Sequence, residues 1–70
     1  MSHAPMLFQI LADGEADWIC RMDQHGRLLC RYPNKATMID MITAIAQRYR
    51  PSHLVVHRRD GSVEHERSFG

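Results

Sequence analysis

The chain has 70 residues, 44% of them hydrophobic and 24% charged, with a formal net charge of +1. That suffices for one folded domain and excludes a second core, an intrinsically disordered composition and a disulfide-dense secreted scaffold. The near-neutral balance supplies no global field for nucleic acid or an anionic membrane, and no apolar run approaches the ~18 residues of a membrane span.

Residues 1–70 are therefore expected to form a single α+β domain, with residues 1–5 as a disordered tail. Met1–Pro5 is too short and polar for a signal peptide, so a cytoplasmic setting with both thiols reduced is expected. A chain this short buries only about 60% of the surface its unfolded form exposes. Small domains of this kind often compensate by a disulfide, a metal or self-association.

Met6–Leu11 is an apolar run of strand length, closed by the turn-rich Ala12-Asp13-Gly14-Glu15. Trp18–Met22 and Leu28–Tyr32 read as a second and third strand. Between them, Asp23-Gln24-His25-Gly26 supplies the glycine that a hairpin loop with positive φ requires. Setting Cys20 opposite Cys30 pairs Trp18 with Tyr32 and Met22 with Leu28, gathering six large or apolar side chains on one face.

A helix follows. Asn34 is a good N-cap, and Met38, Met41, Ile42, Ile45 and Tyr49 recur at the spacing of one helical face. Asp40, Thr43 and Gln47 fall opposite. Pro51 ends the helix at or before Arg50. Two further strands, Leu54–Arg58 and Val63–Arg67, flank Arg59-Asp60-Gly61-Ser62, and Asp-Gly between β-type runs is a strong hairpin signal. That hairpin pairs Arg58 with Val63 and Val56 with His65. It sets Leu54, Val56, Val63 and Phe69 on the inner face, and His53, Val55, His57, Glu64 and Glu66 on the outer. The expected architecture is an antiparallel sheet of four to five strands with one helix on one face, in the order strand-strand-strand-helix-strand-strand.

Trp18-Ile19-Cys20 looks like the Trp-x-Val strand of the bacterial family known as domain of unknown function 2188. Asn34-Lys35 resembles the Thr-Lys pair opening that family's helix, with Asn replacing Thr as the cap. Val55-Val56-His57-Arg58-Arg59-Asp60-Gly61-Ser62-Val63 and Arg67-Ser68-Phe69-Gly70 resemble its His-x-x-Asp-Gly-x-Ile and Ser-aromatic-Gly ending. The resemblance spans Asp17 to Gly70. It implies the fold and brings no active site, since the family carries no established chemistry.

The chain has five histidines. His53 and His57 lie four residues apart on a strand, roughly 13 Å between backbones, too far to share one ion. His57 beside Glu64 makes only two ligands, fewer than zinc normally takes. His3 falls in the tail and His25 in a loop, so no metal and no cofactor is expected. Cys20 and Cys30 have three readings: inert buried thiols, which is favoured, a cross-strand disulfide, or a nucleophile that lacks an obvious base. Asp13, Glu15 and Asp17 read as a solvated acidic tip. No phosphate-binding glycine loop or nucleophile elbow occurs, so no enzyme and no catalytic residue is expected.

Eight of the nine basic residues are Arg, and Lys35 is the single Lys. In the preferred register Arg21 and Arg31 project from the sheet face away from the helix, with Ile19, Leu29 and Val55. These five form the candidate interaction face. The favoured reading is an interaction or oligomerisation module with a protein partner or a second copy. The alternative is a nucleic-acid-binding accessory protein using Arg21, Arg27 and Arg31. Its difficulty is that Trp18, Tyr32, Tyr49 and Phe69 are assigned to the core, leaving no rings for base stacking.

Overall fold

The computed structural model describes residues 4–70. The elements are β1 (Met6–Asp13), β2 (Asp17–Met22), β3 (Arg27–Tyr32), α1 (Lys35–Arg48), β4 (Ser52–His57) and β5 (Val63–Phe69). His3 and the rest of residues 1–3 lie outside the described residues. The fold is α+β: one five-stranded sheet in the order β3-β2-β1-β4-β5 with one helix packed on it.

The sheet is mixed, where an antiparallel one was expected. β1 runs parallel to β4, with Met6 beside Ser52 and Ile10 beside Val56. The reason is topological: β1 occupies the centre, and the chain crosses over the sheet through α1 before laying down β4. A crossover of this kind returns a strand in the same sense.

Alternation along the two central strands builds the core. Phe8 and Ile10 on β1, and Leu54 and Val56 on β4, are fully buried beneath Met38, Ile42 and Ala46 of α1, with Trp18, Cys20 and Phe69 at the margins. The helix starts as the sequence requires, because the Asn34 side chain accepts the Thr37 amide N–H (2.9 Å). It stops at Arg48, where the Tyr49 N–H returns to the Ala46 carbonyl (3.1 Å). The buried Ser52 hydroxyl also donates to that carbonyl, pinning the helix end to β4.

The apolar helical stripe is narrower than its spacing suggested. Ile45 is only partly buried, and Met41 and Tyr49 are exposed. Tyr49 meets the edge of Phe8 at 6.2 Å between centroids. Tyr32 is likewise exposed, so it and Tyr49 are corrected from core to surface. A single helix spans β1, β2 and β4 and leaves the outer strands β3 and β5 largely uncovered.

Two of the three hairpins, β2–β3 and β4–β5, contain a bulge that the even register did not anticipate. In β2–β3, Trp18 pairs with Tyr32 and Cys20 with Cys30 as expected, but the register then shifts. Arg21 faces Leu28, and Met22 faces Arg27 in place of Leu28. In β4–β5, Val56 pairs with His65 as expected, while Val63 pairs with His57 rather than Arg58. The extra residue is Glu64. Val63 thereby joins His57's side of the sheet, and Glu64 leaves it. The glycines expected to turn these hairpins do so with positive φ, +67° at Gly26 and +93° at Gly61.

Candidate functional site

Two places gather chemistry-bearing side chains: the sheet face away from α1, and the end of the molecule where the β4–β5 turn meets the start of the helix.

The open face is organised by one transverse row. Leu28, Arg21, Gln9, Val55 and Glu66 follow one another across β3, β2, β1, β4 and β5. One step along the strands lie Arg31, Ile19 and Leu11, and on the other side Leu7, His53 and Ser68. The five expected residues Ile19, Arg21, Leu29, Arg31 and Val55 thus fall together, with two changes. Ile19 was expected to be exposed and is only 7% exposed. It is shielded between cross-strand neighbours Leu11 and Arg31. Leu29 is the extra residue of the β2–β3 bulge, which brings Leu28 beside Arg21. Leu7 and Leu11 complete the apolar stripe and were not singled out from sequence, because a continuous apolar run does not declare which alternate residues face outward.

Polar groups on this face hold each other in place. Arg31 pairs with Asp13 (2.8 Å), and Arg21 donates to the Gly26 carbonyl (2.8 Å). His57 bridges strands, its Nδ1 donating to the Gly61 carbonyl (3.2 Å) and its Nε2 lying 3.0 Å from the Gln9 side-chain amide. His53 donates from Nε2 to Glu66 (2.9 Å) and accepts the Ser68 hydroxyl at Nδ1 (2.8 Å). That hydroxyl–imidazole–carboxylate order is the one a nucleophile needs. Here it lies flat on strands, half open to water. The shallow depression of about 250 Å³ nearby is walled by residues 4–7 and 23–25, with none of the three groups in it.

At the other place, two cations lie over the Trp18 ring, Lys35 Nζ at 4.5 Å and the Arg59 guanidinium at 4.7 Å from its centroid. Lys35 also pairs with Glu64 (2.9 Å), and Arg59 donates to the Gly14 carbonyl (2.9 Å). Glu64, expected beside His57, is carried by its bulge toward the helix. The Lys35 contact holds its carboxyl below the usual range, and hydrogen bonds from the Ser62 hydroxyl and backbone do the same for Asp60. The two indole–cation contacts and the Arg59–Gly14 hydrogen bond make this a clasp that fastens β2, the β1–β2 turn, the helix start and the β4–β5 turn together. Sequence reading did not assemble it, since its members are distant in the chain. The signal was that Trp18, Lys35 and Arg59-Asp60-Gly61 all occur within the motifs that resemble the bacterial family.

Cys20 and Cys30 are unpaired thiols facing each other on the helix side of the sheet. Burial, reinforced by the neighbouring Cys30, pushes the Cys20 thiol up to about 12, and burial also raises Cys30. A thiol held neutral in this way is a poor nucleophile. Among the described residues no three His, Cys, Asp or Glu side chains come together as metal ligands. No helix among them is long and apolar enough to cross a membrane.

No curated protein and no solved structure matches the chain significantly. A family model described as "Uncharacterized protein conserved in bacteria (DUF2188)" matches residues 9–69. That span takes in the whole clasp and nearly all of the sheet, and the chain belongs to this bacterial family.

Proposed function

We propose that the chain is a small non-enzymatic interaction module whose binding surface is the open sheet face. The observation that carries this reading is that α1 packs on one side of the sheet only. On the other side the half-buried Leu7, Leu11 and Val55 surround Gln9, with Ile19 buried beside Leu11, and Arg21, Arg31, His53, His57 and Glu66 lie around them. An apolar centre with a polar rim is the anatomy of a protein-binding patch. Two unpaired thiols suit a reducing, cytoplasmic compartment.

The competing reading, nucleic acid on Arg21, Arg27 and Arg31, is weakened by the geometry. Arg31 is neutralised by Asp13, and Arg27 sits opposite Met22 rather than beside Arg21. The rings of Phe8, Trp18 and Phe69 are buried, and the exposed Tyr32 and Tyr49 lie on the helix side of the sheet and at the end of α1, away from the face that carries Arg21 and Arg31. A photo-crosslinking side chain at Val55, compared with one at Gln47 on the helix's outer surface, tests the proposal in the native cell. Protein adducts specific to position 55 support it. Nucleic-acid adducts there, weakened by Arg21→Glu with Arg31→Glu, transfer the function to the alternative.

A further inference from the structure

We propose that Cys20 and Cys30 form a two-thiol oxidation site, in which Cys30 takes the oxidant and Cys20 closes a cross-strand disulfide that fastens the edge strand β3 to β2. This is a modification site of the helix side, and it does not depend on the binding-face proposal.

Three observations carry it. The two residues are direct cross-strand partners in an antiparallel pair, so their side chains share one face. Directly opposed residues hold their Cα atoms about 4.5–5.5 Å apart, inside the range of a disulfide. Their Cβ atoms stand about 4.5–5.5 Å apart, against about 3.5–4.5 Å in a disulfide, so a small inward movement is needed. The fold leaves room for that movement. β3 is an edge strand that α1 does not cover, and its ladder with β2 is interrupted by the bulge immediately beside this pair. The third observation is the difference in access. Cys20 is fully buried in the core, whereas Cys30 is half-buried at its margin.

That difference sets the order of events. The Cys30 thiolate attacks one sulfur of a low-molecular-weight disulfide, forming a mixed disulfide and expelling the other sulfur as a thiolate. The Cys20 thiolate then attacks the Cys30 sulfur, breaks the mixed disulfide and expels the second small thiol. The protein loses two electrons and the small disulfide gains them, with both thiol protons ending on the two released thiols. Burial holds both thiols neutral at ordinary pH, so the reaction is slow and answers sustained oxidation. Excess small thiol runs the same exchange backwards.

The experiment incubates the folded chain with oxidised glutathione, then acid-quenches it for intact mass and non-reducing tryptic mapping. Arg21 and Arg27 lie between the two cysteines, so cleavage there separates them unless a disulfide joins the fragments. The unmodified chain should lose two hydrogens, remain monomeric and yield the joined fragments, and reduced glutathione should restore it. Cys20→Ala should stop at one glutathione on Cys30. Cys30→Ala should take up none while folded. Should either variant unfold, the corresponding serine variant replaces it, and the map of the unmodified chain still reports the bond. The joined form should melt about 10 °C higher, because the bond closes a loop of about ten residues in the unfolded chain. Thiols that stay free, a chain that stops at the mixed disulfide, or disulfides between molecules would overturn the proposal. Glutathione on Cys20 in folded Cys30→Ala would overturn the order of attack, and an unchanged melting temperature the fastening of β3.

Discussion

The two faces of the sheet are made by alternate residues of the same strands, yet they are held by different forces. Phe8 and Val56 point into a packed core under α1, while their neighbours Leu7 and Val55 point into a thin layer of side chains shared with Gln9, His53 and His57. The helix side is consolidated by removing apolar area from water, which is non-directional and strong. The open side is consolidated by hydrogen bonds and ion pairs at or near the surface, which contribute little each. Stability should therefore reside on one face and freedom to evolve a partner on the other.

Adjacent substitutions on β1 put that division to its hardest test. Phe8→Ala should cost about 3–5 kcal/mol, enough to unfold much of a 70-residue domain. Leu7→Ala, one residue away on the open face, should cost about 1 kcal/mol in a dilute denaturant titration. Equal losses would mean that the open face is as firmly packed as the core. Next in size is Gly61→Val. No atom lies near an added Cβ, so the cost is purely the +93° φ, about 1–3 kcal/mol for a β-branched residue. Gly26→Ala, at +67°, should cost less.

A third effect reads the core through its thiol. Cys20 ionises near 9.0 when unfolded and near 12 when folded, so the folded state binds the proton more tightly. Its contribution is fully present below pH 9.0 and declines as pH rises toward 12. Melting temperatures should therefore fall above pH 9.0, and Cys20→Ala should flatten that fall. Cys20 should also react with thiol reagents far more slowly in the native protein than in denaturant, and more slowly than half-buried Cys30. Fast native labelling of Cys20 would show that this part of the core is open.

Smaller still is Arg59→Ala, which removes one wall of the clasp and should cost about 0.5–1 kcal/mol. Trp18 is the chain's single tryptophan, so its fluorescence reports the change directly. An unaltered emission maximum would mean that the guanidinium does not sit on the ring in solution. At the bottom, Gln47→Ala on the outer side of α1 should be silent.

How much of this was legible in the sequence depended on distance along the chain. Gly26 and Gly61 announced their turns, and Asn34 announced the helix, because each acts on residues two or three positions away. Cys20 opposite Cys30 followed from the hairpin. The bulges at Leu29 and Glu64 did not, since a period-two pattern reads equally well until one residue too many is counted. The parallel seam was not legible either. Apolar alternation says that β1 and β4 are buried, and not that they are neighbours. Among candidate site residues, Arg21, Arg31 and Val55 were placed correctly on the open face. Ile19 was placed on the right side but not seen to be buried, because its cover comes from Leu11 on another strand.

The seam has a consequence for how fast the molecule assembles. β1–β2, β2–β3 and β4–β5 are each closed by a short turn and lose little chain entropy in pairing. β1 and β4 come from opposite ends of the chain, and their contact must wait until the intervening segment is brought round. Folding time is then governed by one event, the docking of a three-stranded meander onto a helix-bearing hairpin. Changes at Ile10 or Val56 should slow refolding, while changes confined to the outer strands should mainly hasten unfolding.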